Sequence, residues 1–305
     1  MSGPKEAASE LEEGGLVRAR RRWGWGSPWL HAKRWMTSLL AILVLVPIVL
    51  VNLVPIVFVV FSSFKTSTDF IRNPAGIPTE WSIEGYVTLV RDRPFLQQAL
   101  NTVVVAAATV VLTIAVAVPA AYAYARLKFR ASSGLFYFTT ALMAVPVVVM
   151  LIPLFALMSR LGLIDRYPSV VIVYVGICVP FSVYVLVVFF MSLPGSLLDA
   201  ARVDGASHLR IIWHIVLPLA KAPLVTLSLV NGLWVWNELL IAMLFLQSEK
   251  SSTLIASIAR GMSRDSRNVP LIMAGCALAS IPAIAGVVFG QRFFVRGFLG
   301  GYSNE

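Results

Sequence analysis

Residues 198–218 read LDAARVDGASHLRIIWHIVLP. Ala200 and Ala201 favour helix, and Gly205 breaks or turns it. Pro218 restricts the backbone at the far end. The stretch predicts a short helix, a glycine-permitted bend and a second helical piece. Asp199, Arg202, Asp204, His208 and Arg210 stand among small residues, a mixture that belongs in water. Yet long apolar runs flank it, at about 168–190 before and 222–246 after. A helix rises about 1.5 Å per residue, so roughly 20 apolar residues cross about 30 Å of hydrocarbon. A polar segment between two such runs is a loop joining two membrane-crossing helices.

The same grammar extends along the chain. Further apolar runs cover Met36–Phe61, Ala99–Tyr124, Gly134–Met158 and Val269–Gly290, for a total of about six crossings. Of the 305 residues, 58% are hydrophobic and only 13% charged. A soluble domain carries about 25% charged residues, so lipid is the indicated solvent. The runs do not alternate in polarity, which argues against a membrane barrel. The expectation is an all-α membrane protein. Residues 1–35 form a polar, basic head, read as disordered with its Arg18–Arg22 region on the membrane surface. Run 36–61 is longer than a signal-peptide core and reads as a retained first span. Prolines fall within or near the ends of most runs (Pro47, Pro55, Pro119, Pro146, Pro153, Pro180 and Pro282) and predict kinks.

Lysine and arginine set the orientation. With six spans both ends share a side. That side would hold the basic head, the turn with Arg126, Lys128 and Arg130, the segment with Arg202, Arg210 and Lys221, and Arg292 and Arg296 at the end. The loop with Lys250, Arg260, Arg264 and Arg267 falls on the other side and runs against the trend. The short-loop bias favours both termini in the cytoplasm. The net charge of +10 is thus a matter of membrane topology, with no nucleic-acid-binding stripe. Cys178 and Cys276 fall in apolar runs as small hydrophobes, and the histidines show no metal spacing. No phosphate-binding loop and no catalytic constellation appears, so no catalytic or metal site is expected.

The stretch 198–218 resembles the signature of inner-membrane permeases of bacterial ATP-binding-cassette importers: E-A-A, three residues, G, nine residues, I-x-L-P. Asp199-Ala200-Ala201, Gly205, Ile215, Leu217 and Pro218 keep that spacing, with Asp199 where the family usually has Glu. Trp236-Asn237-Glu238-Leu239, the turn Ala121–Phe129 and Gln291–Gly297 resemble signatures of the maltose-importer branch, specifically its six-span second permease. The usual G-A-V-K-G ending is replaced by Gly300–Glu305. The resemblance implies a type I importer permease fold: a six-span domain over 36–298, a coupling segment at 195–218 and a short tail at 299–305. It implies that Asp199, Ala200, Ala201, Asp204, Gly205, Ile215, Leu217 and Pro218 couple to a cytoplasmic ATPase. It further implies a bacterial plasma membrane location, a second homologous permease, two ATPase subunits holding ATP and magnesium, and an extracytoplasmic sugar-binding protein. The chain itself would hold no cofactor.

In the fifth run, Asn231, Trp234 and Glu238 sit at i, i+3 and i+7, one face of a continuous helix, with Asn237 beside it. A carboxylate in a membrane helix faces protein or water. This face therefore either borders a sugar path, where rings stack and amides bond hydroxyls, or bonds a neighbouring helix. Other readings are a permease for polyamines or another small polar solute, an ATPase-independent secondary transporter, and a membrane-embedded enzyme. The secondary transporter predicts inverted repeats and more intramembrane charge; the enzyme requires a catalytic set that is absent from the sequence.

Overall fold

The structure is a computed structural model that describes residues 28–127, 129–264 and 268–299. The head up to residue 27 and the tail 300–305 lie outside the described residues. Among the described residues every regular element is helical. Helix α1 covers Pro28–Ser63 and so begins inside the stretch read as head. Two short helices follow, α2 (Ser67–Arg72) and α3 (Glu84–Asp92), then the long α4 (Phe95–Arg126). The third apolar run gives α5 (Ser132–Ala141) and α6 (Val147–Arg160), and the fourth gives α7 (Tyr167–Ser192). The polar segment holds α8 (Gly195–Val203), α9 (His208–Ile211) and α10 (Leu217–Leu219). The fifth run gives α11 (Lys221–Asn237) and α12 (Leu240–Phe245). Helices α13 (Leu254–Arg264) and α14 (Val269–Leu299) complete the described residues.

Among the described residues, four helices are long and apolar enough to cross a membrane: the Ala41–Ser63 part of α1, α4, α7 and the Val269–Gly290 part of α14. Six crossings result if each of two bent pairs counts as one. The first pair corrects the continuous third span expected from the sequence. α5 and its terminal turn Leu142–Ala144 meet α6 at 99°. Pro146 is the cause: it lacks a donor and forces Val145 out of the helical region, to ψ 117. Pro47, Pro55, Pro119, Pro153, Pro180 and Pro282 instead lie inside helices. The second pair joins the 208–219 piece to α11 at 79°.

Helices α4 and α7 form the central pair. Ala117 and Ala121 are fully buried, and their small side chains bring α4 against Val183, Leu186, Val187 and Phe190 of α7. Close approach through small residues is the usual basis of helix association in lipid. Helix α11 packs on α4 and on α14. Gly290 lets α14 come close there: a Cβ at this position would have to displace the end of the Leu229 side chain. On the side away from α8, loops are tied together by side chains. Asn101 donates to the carbonyls of Lys250 (2.8 Å) and Ser252 (2.9 Å), and Tyr167 donates to Asn101 Oδ1 (2.7 Å). Asp165 accepts from Ser248 N (2.9 Å) and from Ser251 Oγ.

Candidate functional site: the polar segment and the broken fifth run

Helix α7 stops at Ser192, and Leu193 and Pro194 turn the chain with extended backbones (ψ 140 and 124). Helix α8 then runs to Val203. Its end is a Schellman turn: Ala206 N donates to Ala201 O (2.9 Å) and Gly205 N to Arg202 O (3.0 Å). Gly205 takes the left-handed position at φ +76, which explains why glycine stands there. Ser207 restarts the helix, its Oγ accepting from Arg210 N (3.4 Å). Residues Ile212–Val216 form one wide π turn, in which Leu217 N bonds Ile212 O. Pro218 follows, and a widened turn relieves the clash its ring would make with the carbonyl four residues back. The predicted helix, bend and second piece are all present.

The segment has two faces. Leu198, Ile211, Ile212, Val216 and Ala220 are buried in the cluster around Tyr122 and Phe190. Ala201, Ile215 and Leu217 pack half-buried against that cluster. Asp199, Ala200, Asp204 and Gly205 are exposed, as is Pro218, and Val203 is 88% exposed. Asp199 pairs with Arg202 at 3.3 Å on the same exposed face. Of the eight residues expected to act in coupling, Asp199, Ala200, Asp204 and Gly205 form one exposed tip, Ala201, Ile215 and Leu217 anchor it, and Pro218 is exposed beyond it.

Three residues outside the expected set brace this tip. Arg126 donates to the carbonyls of Phe190 and Leu193, capping the end of α7 just before α8. Tyr122 contacts His208 Nδ1 through its hydroxyl (3.2 Å), with the rings 5.9 Å apart. The turn after the second run is therefore a strut for the polar segment. Its signal in the sequence was the Ala121–Phe129 signature, which carries no hint of its contacts.

The expected one-sided face in the fifth run needs correction. Asn231 and Trp234 share α11, but that helix ends at Asn237 and Glu238 is extended (ψ 128), so Glu238 does not continue the face. Asn231 is buried and donates to Ser182 Oγ of α7 (3.0 Å). Trp234 is half-buried and meets Tyr174 edge-on at 5.5 Å. Asn237 is exposed and bonds back to Leu233 O (2.8 Å). Glu238 accepts from Tyr174 OH (2.6 Å), Ile241 N (2.9 Å) and Ala242 N (3.0 Å). Trp236, quoted only as part of a motif, is buried and donates to Ala279 O of α14 (3.1 Å).

Comparison with known proteins agrees with this architecture. Residues 111–299 match the family described as "Binding-protein-dependent transport system inner membrane component". A putative ABC transporter permease protein of Caldicellulosiruptor sp. (strain Rt8B.4) is 31% identical over 272 residues, 89% of this chain and 97% of that protein. A trehalose transport system permease protein of Mycobacterium tuberculosis is 28% identical over 244 residues, 79% of this chain and 89% of that protein. The fold is shared with a chain in the crystal structure of a bacterial ABC transporter involved in import of the acidic polysaccharide alginate. There the TM-score is 0.72 at 24% identity, covering 86% of this chain and 98% of that one. The described tip at Asp199–Gly205 lies within the matched family region. The chain belongs to the binding-protein-dependent inner-membrane components: it is a non-catalytic permease subunit of an ATP-binding-cassette importer.

Proposed function

We propose that this permease carries a carbohydrate, an oligosaccharide or sugar derivative, across the bacterial plasma membrane by alternating access. The trehalose permease relative and the alginate importer of like fold support a sugar over a polyamine. The 36–298 region forms the membrane domain, with both termini in the cytoplasm. The α8 tip docks on one of two ATPase subunits, which hold the ATP and magnesium. A second homologous permease completes the path, and an extracytoplasmic binding protein delivers the sugar.

The observation that carries the coupling role is the tip itself. Small and charged residues, Asp199, Ala200, Asp204 and Gly205, protrude on a rigid Schellman turn whose other face is sunk into the α4–α7 core. A partner that pushes the tip moves the membrane helices with it. ATP can drive transport through such a contact only if the partner binds the two permease conformations with different affinities. Trp234 and Asn237, which keep accessible surface, are the candidates for sugar contact, whereas Asn231 is occupied by Ser182 Oγ and Glu238 by Tyr174 and the start of α12. Uptake of labelled oligosaccharides and polyamines by the reconstituted importer, driven by its own binding protein, tests the substrate class. Sugar uptake supports the proposal; polyamine uptake without sugar uptake would overturn it.

A further inference from the structure

The fifth apolar run is jointed. Helix α11 stops at Asn237, Glu238 is extended, and α12 starts at Leu240. A break inside an apolar stretch strands the first amides of the new helix, and lipid offers them nothing. Glu238 supplies the missing acceptors. Its Oε1 takes Ile241 N and its Oε2 takes Ala242 N. A third donor, the Tyr174 hydroxyl, reaches Oε2 from the fully buried interior face of α7. Three of the roughly four acceptor positions of a carboxylate are then filled by the protein itself.

Helix α12 buries one face against the same neighbours. Ile241, Ala242, Phe245 and Leu246 are fully buried, and Ile241, Phe245 and Leu246 share one cluster with Met158, Val170, Val173 and Val235. At its far end Phe245 O accepts from Asp165 N (2.8 Å), whose own carboxylate ties down Ser248. Helix α11 is attached chiefly to α4 and α14, and touches α7 through the Asn231–Ser182 bond and the edge contact of Trp234 with Tyr174.

We propose that Glu238 is a positioning residue for transport, not a sugar ligand: with Tyr174 it fastens α12 to α7, so these two move as one body while α11 swings on the other side of the joint. This rests on the reading of the chain as an ATP-driven permease. A glutamine cannot replace Glu238, because its amide nitrogen donates and must oppose at least one of the three donors already present. A tyrosine-to-phenylalanine change at Tyr174 leaves the two backbone bonds and removes the tether to α7.

The test uses the assembled importer in proteoliposomes, with Cys178→Ala and Cys276→Ala, and spin labels on cysteines at the exposed positions Ile172 and Leu240. The expected result is one narrow inter-label distance that is the same with and without ATP. Glu238→Ala should broaden it and lower the maximal uptake rate about tenfold, and Tyr174→Phe about threefold, as loss of charged hydrogen bonds implies. The half-saturating sugar concentration should stay unchanged in both. A raised half-saturating concentration with the narrow distance retained would make Glu238 a sugar ligand and overturn the proposal. Unchanged rate and distance would overturn it equally. If Glu238→Ala does not assemble, Tyr174→Phe decides alone. The distance readout does not depend on uptake, so absence of ATP-driven uptake by the unsubstituted importer would refute the permease reading while the joint is still decided.

Discussion

Gly205 offers the sharpest perturbation, because its environment isolates one physical effect. A Cβ placed there meets nothing within 4 Å, so Gly205→Ala introduces no clash. What remains is the backbone: φ is +76, and an L-residue in the left-handed region loses about 1–2 kcal/mol relative to its relaxed conformation. The strain relaxes if the Schellman turn opens, which releases the bonds from Gly205 N and Ala206 N and lets the tip drift. A penalty of about 1–2 kcal/mol shifts the equilibrium between docked-ready and open tips by about 5–30-fold. The apparent affinity of the ATPase for the permease should fall by up to that factor, while the membrane domain stays folded. Gly195→Ala is the control. Gly195 opens α8 at an ordinary φ, and the added methyl would find only Asp199 Oδ2, at 4.0 Å. The same chemical change there should leave affinity unchanged or slightly improved. Titrating purified ATPase onto nanodisc-held permease measures both. Equal affinities for the two variants would refute the claim that the left-handed turn presents the tip.

Arg126→Ala removes a charged donor from the carbonyls of Phe190 and Leu193, and should destabilise the α7–α8 corner by about 1.5–3 kcal/mol, read as a lower thermal midpoint in detergent. Trp236→Phe removes the buried bond to Ala279 O and should lower resistance to denaturing detergent by about 0.6–2 kcal/mol, with uptake kept at permissive temperature. The Asp165 clasp predicts a pH response. Burial opposes its charge, but the bonds from Ser251 and Ser248 outweigh that and hold its carboxyl below the ordinary 3.8. A lowered folded pKa gives stability that is present above the unfolded value and lost as pH falls through the folded one. The loop 246–253 should therefore stay closed at neutral and mildly acid pH and open only below about pH 4, read as the mobility of a spin label on the loop, whereas Asp165→Asn should flatten that dependence.

Much of this architecture is legible because lipid enforces simple rules. Run length located the crossings, and the glycine at 205 announced a turn that its φ of +76 accounts for. Breaks were harder to read. Seven prolines looked equivalent in the sequence, yet Pro146 ends a helix while the others named with it sit inside theirs. What sets it apart is the residue before it, Val145, which is extended (ψ 117), and no local pattern announces that. Glu238 deceived for a related reason. Helical periodicity assumes that the helix continues, but the residue that looked like part of a polar face is the one that caps a new helix instead. The bracing by Tyr122, Arg126 and His208 joins positions far apart in sequence, and only the fold brings them together. Both termini lie beyond the described residues, so the reading of the head as a disordered basic segment stays a proposal.

The most direct measurement is gentle purification of the tagged chain from its native membrane, followed by identification of what accompanies it and an assay of ATP hydrolysis with and without the binding protein. The account predicts a second permease and an ATPase, hydrolysis stimulated by the loaded binding protein, and loss of the ATPase when Asp199→Lys or Gly205→Val is introduced at the tip. A chain that transports with no ATPase bound, or that keeps its ATPase when the tip is altered, would contradict it.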